Sequence, residues 1–572
     1  MTDLTRYMDP FFGNGTIDLP EPEGIAATWF FIKAQTGNTH PGAQAPLSMI
    51  SVGAYTGAYP TGYGVNAPNT HATPARYLDA PAAMGFSHLH QSGTGAIQTY
   101  YNYFLVTPVA LHRSSEGLGW LGTHWRLEDE RARPGTYAAR LAGTGIKAEL
   151  TATPAVALHR YTFTAGQTAQ LAVDFANGGI DFSRRRTRPS AGEVALVAPN
   201  AASGWVVMAG VRLYVYMECT PTRTWDPDGA LWVDTERIRG LSRLTLDRDR
   251  AKSGASFGVV FSGPAPATVE LRLGFSLHSV ERARARVEET RGRGFDQVAR
   301  ETEAAWNAYA NHVQVEGGTE TQKQILYSSL YHSLVKPALW PGEGPWWAAS
   351  SEEEARPFYL DFATMWDQYK TQLPLLLSLY PERGAEIVNS LLALAEHVGH
   401  FPTGFVLDAE MGRFDGQARC LALMTLADAY HRRLPGIDWQ RALNAMLADL
   451  GQARHADYYQ KSLVTPITHT LDLAQACCCT AQIAGDLGLD RVRDSLMAHA
   501  ARWRGAYDRA TGRLIEGRYY EGGLWNYSFR LLHDMAGRIG LYPSEDAYVA
   551  DLDRFFGYGA PPVVQPTVPG DR

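Results

Sequence analysis

The feature that most constrains the fold of this chain is a change in hydrophobic periodicity near His278. Before His278, short runs alternate apolar and polar side chains, are rich in β-branched residues and are separated by turn-forming residues. Examples are residues 148–163, 213–219, 255–263 and 268–276. After His278, apolar residues recur at i, i+3, i+4 and i+7, which is the period of a helix with one buried face.

This change predicts a β domain followed by a helical domain. We predict an N-terminal β-sandwich (a supersandwich) over residues 1–278, a helical linker over 279–318, and a helical barrel over 319–572. Serial helix pairs separated by Gly, Pro or Asp close into a helical toroid, an (α/α) barrel that is complete or incomplete. Loops at one end of such a toroid form a cleft suited to a substrate.

Composition excludes several classes of protein. The chain has 572 residues, of which 45% are hydrophobic and 19% are charged, with a net charge of −7. No concentrated basic patch is present, so we expect no nucleic-acid partner. The Gly-rich segments do not stand before a helix in a βαβ unit, which argues against nucleotide binding.

Cysteine usage and the N-terminus bear on location. The five cysteines form no CxxC or Cys/His zinc spacing, and residues 477–479 are predicted to be small buried residues of a helix. An odd number without a framework argues against a disulfide-built secreted protein. We see no signal segment and no apolar run long enough to cross a membrane. The sequence therefore predicts a cytoplasmic protein without a membrane partner.

The stretch GRYYEGGLWNYSF, residues 517–529, carries the strongest chemical signal. It places Glu521 beside two glycines and among aromatic residues. Rings that exclude water raise the pKa of a carboxyl group, so that it holds a proton near neutral pH and can deliver it to a leaving group. Flat rings also stack on the C–H faces of sugars. These residues favour a glycosidase with Glu521 as its general acid.

Longer motifs occur in one order along the chain. The N-terminal half contains MDPFFGNG, HPGAQAPLSMISVGAYTG and GFSHLHQSGTG, at residues 8–15, 40–57 and 85–95. The helical half contains LYSSLYHSLVKPALW, TMWDQYKTQLPLLLSLYPER, THTLDLAQACCCTAQIAGDLG and YYEGGLWNYSF. Together these motifs resemble those of glycoside hydrolase family 92, the calcium-dependent exo-acting α-mannosidases.

The resemblance implies a fold and a reaction. The fold is a β-sandwich packed on an (α/α)6 barrel, with the active site between them. The reaction inverts the anomeric centre: Glu521 protonates the glycosidic oxygen, and a distant carboxylate activates water. Ca²⁺ is implied as a cofactor that helps to distort the bound sugar. The implied partner is an oligosaccharide or another glycoside.

The resemblance also assigns substrate contacts to six residues. They match the family motifs around the acid, in the WD dipeptide and in the β-sandwich: Trp525, Asn526, Trp366, Asp367, His88 and His90. Alternatives remain from the residues alone. Asp367 stands at a helix start and could be an N-cap. The two histidines are spaced to share one face, as structural residues or as donors to sugar hydroxyls, rather than as zinc ligands.

The sequence departs from the family pattern where the general base is expected. The family's NEP and DDxG motifs are absent, and Arg419 and Cys420 stand where the family has a Gly-Tyr-His-like sequence. The substrate therefore need not be mannose. The residues alone leave five candidates for a replacement base: Asp408, Glu410, Asp415, Glu516 and Asp534. We expect Glu516 to be a bystander, and the first three to lie on a barrel loop near the cleft. An inverting pair requires roughly 6.5–9.5 Å between carboxyl groups.

Three hypotheses follow. The first is an active glycosidase acting on α-mannosides or a related glycoside. The second is a carbohydrate-binding protein that has lost catalysis together with the base. The third is a fragment or subunit of a longer enzyme, because a toroid without its last helices exposes apolar walls that a homo-oligomer or a partner subunit would cover.

Overall fold

The computed structural model of the 572-residue chain describes most of its residues. The described residues are 2–18, 34–36, 39–58, 61–64, 81–92, 99–111, 118–164, 166, 168–181, 187–220, 231–247, 249, 251, 254–264, 268–410, 416–520, 522–559, 561 and 563. They divide into two compact units. Unit 1 comprises Met1–Thr16, Thr36–Ala363 and Phe405–Glu410, and unit 2 comprises Ile17–Gln35, Thr364–Gly404 and Met411–Arg572.

Unit 1 contains a sheet of ten strands in the described part of the chain. Its neighbouring strands are antiparallel wherever their register is defined. The order across the sheet is Arg243–Leu246, Ala191–Ala198, Ala201–Met208, Val211–Thr220, Thr268–Ser276, Val156–Thr162, Ile146–Ala152, Thr136–Leu141, Trp125–Arg133 and Ala82–Ala83. Several of these strands alternate buried and more exposed side chains, such as Thr136–Leu141 and Thr268–Ser276, as expected for a sheet with one face packed on the core.

A second antiparallel sheet of unit 1 has eight described strands. Its order is Glu236–Ile238, Leu231–Val233, Phe257–Pro264, Thr168–Asp174, Tyr103–Leu111, Gly85–His88, Ser51–Tyr55 and Ala43–Gln44. Its central strands are buried along most of their length. Three strand pairs lie outside the two sheets: Thr16–Asp18 with Ala34–Thr36, Thr99–Tyr100 with Ile180–Asp181, and Ala338–Trp340 with Phe358–Leu360.

Helices follow the strands in unit 1. They are Val280–Glu289, Phe295–Ala310, Glu320–Ser333 and the short Ser351–Glu354, with a 3₁₀ turn at Thr5–Tyr7. The Ser279 hydroxyl caps the first helix, and Thr319 with Gln322 forms a capping box on the third. Apolar residues of the first two helices pack against those of the ten-stranded sheet in one core cluster. The boundaries at residues 278 and 318 stay a prediction.

Unit 2 is helical. Its helices are Met365–Gln368, Gln372–Leu379, Pro381–Val398, Ala422–His431, Trp439–Leu450, Ala456–Lys461, Ile467–Asp486, Asp490–Ala500, Leu524–Ser528, Met535–Ile539 and Glu545–Phe556, with 3₁₀ turns at Ala453–His455 and Ala501–Ala506. The helix Ile467–Asp486 is central, because it packs on the helices before and after it and 15 of its 20 residues are buried.

The fold prediction is confirmed. Two large antiparallel sheets are followed by a helical domain, as the change in periodicity near His278 indicates. Cys477 and Cys478 are buried in a helix, as predicted, while Cys479 is partly exposed. Among the described helices, none has the length and apolar character needed to span a membrane.

Candidate functional site

The helical unit contains a cavity of about 390 Å³ that opens beside the aromatic stretch of residues 517–529. Three segments line it: the loop before helix Ala422–His431, the start of helix Ile467–Asp486, and the irregular segment of residues 517–520. The lining residues are Gly416, Gln417, Arg419, Thr465, Pro466, His469, Arg518 and Tyr520. We call this cavity the unit 2 pocket.

Backbone and side-chain hydrogen bonds fix the three segments. The amide of Ile467 donates to the carbonyl of Arg518 at 2.9 Å, which joins the helix start to the aromatic stretch. The Tyr527 hydroxyl donates to the carbonyl of Tyr520 at 2.6 Å. The amide of Arg419 donates to Oδ2 of Asp472 at 3.1 Å. The pocket lining is therefore held by the helix that forms the core of unit 2.

The pocket is rich in hydrogen-bond donors. Arg419 and Arg518 carry permanent positive charge. His469 is buried, and burial lowers its pKa, so its ring is neutral at pH 7. Its Nε2 has no hydrogen-bond partner among the described residues. Donors of this kind suit the hydroxyl and ring oxygens of a sugar.

A buried ion pair lies next to the lining. Nη1 of Arg530 contacts Oδ1 of Asp472 at 2.6 Å, and both side chains are almost fully buried. Lys370 donates from Nζ to the carbonyl of Leu531 at 2.8 Å. Burial, together with the nearby charge of Arg530, lowers the pKa of Lys370 to about 7.

Two of the predicted residues lie outside the described part of the chain. They are Glu521, the predicted general acid, and Asp415, a candidate base. Tyr520 lines the unit 2 pocket and precedes Glu521 directly in the sequence.

Trp366 and Asp367 lie in the first turn of the helix Met365–Gln368 and do not belong to the pocket lining. The N-cap of this helix is Thr364, so the alternative that Asp367 is the N-cap is wrong. Asp367 is exposed, whereas Trp366 is half-buried. Loss of water around the carboxyl group raises the pKa of Asp367, against a hydrogen bond with Thr364 that lowers it.

Trp525 and Asn526 also lie outside the described pocket lining. The guanidinium of Arg513 stacks over the Trp525 ring at 4.2 Å from its centroid. Oδ1 of Asn526 accepts from the amide of Gly523 at 3.2 Å and so caps the helix Leu524–Ser528. Both side chains hold local structure in this conformation.

His88 and His90 are fully buried in unit 1. Nδ1 of His88 donates to the carbonyls of Tyr103 and Phe104, at 3.1 and 3.0 Å. Its Nε2 lies 2.9 Å from Nε2 of His159. Leu89 has a positive φ of 62°, which interrupts the alternation between the two histidines.

The rings of His88 and His90 therefore contact other protein groups and not solvent. Nε2 of His90 lies 2.8 Å from the carbonyl of Ser87, and its ring stacks on His40 with the centroids 3.6 Å apart. Burial lowers the pKa of His88 to about 3 and that of His90 to about 4. In this conformation their environment fits the alternative of structural histidines, because the rings have no exposed surface for a sugar.

The prediction that Asp408 and Glu410 lie on a barrel loop is wrong. The segment Phe405–Glu410 belongs to unit 1, where the amide of Ala409 donates to the carbonyl of Ala209 at 2.8 Å. Asp408 is buried, and its Oδ1 accepts from the amide of Glu410 at 2.8 Å. These backbone bonds to unit 1, which sequence spacing does not reveal, fix the segment there.

Among the described residues, no group of metal-binding side chains has the ligands that Ca²⁺ requires. Ca²⁺ takes six to eight oxygen ligands, which are mostly carboxylates and carbonyls. Where three His, Cys, Asp or Glu side chains converge in the described structure, they are Cys420, Asp449 and His455. That set offers one carboxyl group, one thiol and one imidazole, which is not the chemistry that calcium requires. We therefore assign no calcium ligands.

Comparison with known proteins agrees with this architecture. The model of the glycosyl hydrolase family 92 N-terminal domain matches residues 7–276, and that of the glycosyl hydrolase family 92 catalytic domain matches residues 282–567. A curated protein from Arthroderma benhamiae, named an uncharacterized secreted glycosidase, is 21% identical over 96% of this chain and 74% of its own length.

Solved structures share the fold. A family GH92 alpha-mannosidase from Bacteroides thetaiotaomicron aligns with a TM-score of 0.77 and 20% identity, over 97% of this chain and 75% of its own. A family GH92 inverting mannosidase from the same organism aligns with a TM-score of 0.74 and 19% identity, over 97% and 74%. The fold and the family models define a glycosidase.

More narrowly, the chain belongs to glycosyl hydrolase family 92. The family resemblance that the sequence motifs carry is thereby confirmed. The prediction of a cytoplasmic location is contradicted, since the similar curated protein is a secreted glycosidase. The cysteine pattern does not decide the location, because a chain of this length can form a large apolar core without a disulfide framework.

Most of the pocket lining escaped the sequence analysis. Gln417, His469 and Arg518 were not singled out, and Arg419 was noted only as a departure from the family pattern. His469 lies in THTLDLAQ, one of the motifs that carried the resemblance. Because this motif places His469 in the first turn of a predicted helix, three residues after Pro466, the sequence could have identified it as a candidate.

Proposed function

We propose that this glycosidase acts from the chain end on α-mannosides, or on closely related glycosides, and inverts the anomeric centre. Glu521 serves as the general acid in this proposal. The observation that carries it is the unit 2 pocket, whose lining reaches Tyr520, the residue directly before Glu521. Membership of family 92 and the mannosidases among the solved relatives support the substrate class.

Each of the following residues has a separate proposed role. Glu521 donates a proton to the glycosidic oxygen as the bond to the leaving group breaks. Arg419, His469 and Arg518 supply donors that orient sugar oxygens in the pocket. Trp366, Asp367, Trp525 and Asn526 are proposed to contact the substrate, as the family motifs imply, although none lines the described pocket. No step is assigned to calcium, because no described group of side chains fits it.

The general base remains a proposal among three carboxylates. Asp408 and Glu410 belong to unit 1, and Asp415 lies outside the described residues. A base acts on the water rather than on the leaving group. Its replacement by an amide should therefore lower the rate for every substrate by a similar factor, whatever the leaving group.

The test compares two leaving groups in a Glu521→Gln variant. With an α-mannoside that has a poorly activated leaving group, kcat should fall by about 10²–10⁴-fold. With a dinitrophenyl α-mannoside, whose leaving group needs no proton, most of the rate should remain. Glu516→Gln is a matched control, because Glu516 is exposed directly before the same stretch and should change neither rate.

Proton NMR of the first sugar released measures the stereochemistry. The β-anomer from an α-mannoside would support inversion, and the α-anomer would contradict it. Equal loss of rate with both leaving groups would contradict the role of Glu521 as an acid. If calorimetry detects mannoside binding while no glycoside in a panel is turned over, the chain is a carbohydrate-binding protein and the proposal fails.

A further inference from the structure

The helical unit contains three buried side chains that converge and that the glycosidase reaction does not use. Sγ of Cys420, a carboxylate oxygen of Asp449 and a ring nitrogen of His455 all lie within 4.8 Å of one another. All three residues are buried. We call them the Cys420 cluster.

The three residues come from three consecutive elements of unit 2. Cys420 stands just before the helix Ala422–His431, with a positive φ of 53°. Asp449 lies in the last turn of Trp439–Leu450, and His455 ends the 3₁₀ turn Ala453–His455. Their separations in sequence, 29 and 6 residues, match no compact zinc motif. The cluster exists because the fold brings these ends together.

The geometry suits a tetrahedral metal ion. Sγ of Cys420 lies 3.4 Å from Nε2 of His455. Ligands at the usual Zn–S and Zn–N distances, arranged tetrahedrally, stand about 3.6 Å apart. A thiol, an imidazole and a carboxylate are the side chains that zinc prefers, whereas calcium requires an oxygen cage.

One buried carboxylate oxygen of the cluster has unused hydrogen-bonding capacity. Oδ1 of Asp449 accepts from Nη2 of Arg454 at 3.2 Å. Oδ2 of Asp449 has no hydrogen-bond partner among the described residues, and the ring nitrogen of His455 that faces the thiol is Nε2. Unpaired buried groups cost free energy and are rare unless they serve a ligand. The Arg454 contact resembles the outer hydrogen bond that typically orients a ligating carboxylate.

We propose that Cys420, Asp449 and His455 bind one Zn²⁺ ion that stabilises unit 2, and that water is the fourth ligand. Binding replaces the thiol proton of Cys420, which leaves to solvent, and a sulfur–zinc bond forms. The charges of the thiolate and the carboxylate then balance that of the ion. The ion would join the ends of two helices directly behind Arg419, a residue of the unit 2 pocket.

Cobalt provides the test, because Co²⁺ occupies zinc sites and its bond to a thiolate absorbs in the near ultraviolet. The full-length chain is treated with a chelator, titrated with Co²⁺ and then with Zn²⁺. We expect one Co²⁺ per chain, a thiolate–cobalt absorption, displacement by Zn²⁺, and a higher Tm with Zn²⁺. Absence of the absorption in the wild-type chain would overturn the proposal, and this readout needs no variant.

A matched pair of variants assigns the thiol. Loss of an outer hydrogen bond alone lowers metal affinity by about 10–100-fold, so Cys420→Ser should lower Co²⁺ affinity by at least that factor and remove the absorption. Cys219→Ser replaces an equally buried thiol in unit 1 and should leave both unchanged. If the absorption persists in Cys420→Ser or disappears in Cys219→Ser, the assignment is wrong.

Discussion

Two buried aspartates, one in each unit, occupy contrasting environments. Asp361 of unit 1 and Asp449 of unit 2 are 2% and 0% exposed. Oδ1 of Asp361 accepts from Gln91 at 2.9 Å, and Oδ2 contacts Nζ of Lys336 at 2.8 Å. Asp449 has one oxygen bonded to Arg454 and the other without a hydrogen-bond partner among the described residues.

The difference separates a carboxylate that belongs to the fold from one that is available to a ligand. Both oxygens of Asp361 are used, so its charge is compensated within the protein. Asp449 is ion-paired with Arg454, but its second oxygen has no hydrogen-bond partner among the described residues, and burial raises its pKa to about 6. Buried polar groups are normally hydrogen-bonded. A buried carboxylate with one unbonded oxygen is therefore a candidate for ligand binding. Four predictions test this comparison.

The largest loss of stability is expected at Asp361, because both of its carboxylate oxygens are bonded. Lys336→Met leaves Asp361 buried without its cation, and removal of one partner of a buried pair costs about 3–5 kcal/mol. Urea unfolding of the wild type and the variant at pH 7 measures the loss. In the double variant Lys336→Met/Asp361→Asn both charges are gone, and most of the stability should return. A single variant as stable as the wild type would show that the pair contributes nothing.

The next effect concerns the buried histidines of unit 1. His88 and His90 have pKa values of about 3 and 4 in the folded protein, because burial disfavours the charged ring, against about 6.5 in an unfolded chain. The unfolded state therefore binds more protons below pH 6.5. Stability is complete above pH 6.5 and falls as the pH drops, by about 1.4 kcal/mol per pH unit for each histidine that stays neutral.

Removal of one such histidine should flatten this dependence. The ring of His159 contacts His88 and the Tyr161 hydroxyl, and burial lowers its pKa well below the usual value. His159→Gln should be less stable at pH 7, yet lose stability more slowly between pH 6.5 and 4.5. Urea midpoints at four pH values measure both slopes. Parallel curves would mean that His159 titrates equally in the folded and unfolded states.

A smaller loss of stability is expected at Asp449, because only one of its carboxylate oxygens is bonded. In chelator-treated protein, Asp449→Asn should lower the free energy of unfolding by less than Lys336→Met does, because the cation left behind, Arg454, has 22% of its side chain exposed to water. The amide oxygen can still accept from Arg454. With Zn²⁺ present, the variant should lack the increase in Tm that the wild type gains. A loss as large as that of Lys336→Met would erase the contrast between the two aspartates.

The smallest effect is expected at a carboxylate that is paired but exposed. Glu396 contacts Arg441 at 2.6 Å, with 49% of its side chain accessible to solvent. Exposed pairs contribute about 0.2–1 kcal/mol. Glu396→Gln should therefore shift the urea midpoint within that range, and less at high salt. A shift larger than that of Asp449→Asn in metal-free protein would mean that burial is not what separates these sites.

The order and type of the elements could be predicted from the sequence because they depend on local periodicity. The strand Thr268–Ser276 alternates, and the helix Trp439–Leu450 repeats its apolar residues at helical spacing. Where a segment packs could not be predicted in the same way. The segment Phe405–Glu410 joins unit 1 through backbone hydrogen bonds and through the ring of Phe405, which packs on Trp346 and Phe358, and hydrophobic spacing does not identify these partners.

The candidate site was predicted in part. The motif order led to the right family, and the aromatic stretch led to the region beside the unit 2 pocket. His469 and Arg518 were missed because a lone histidine or arginine has no local signature. The Cys420 cluster was missed for a related reason: its members are 29 and 6 residues apart and meet only when three elements end at one place.

The helix Ile467–Asp486 has a consequence for how this enzyme can be diversified. It carries His469 to the pocket and Asp472 to the ion pair with Arg530, and most of its remaining residues are in the core. A library directed at this helix would select mainly for folding. New substrate preferences should be sought in the loops that contribute Gln417 and Arg518, where side chains can vary without repacking the centre of the domain.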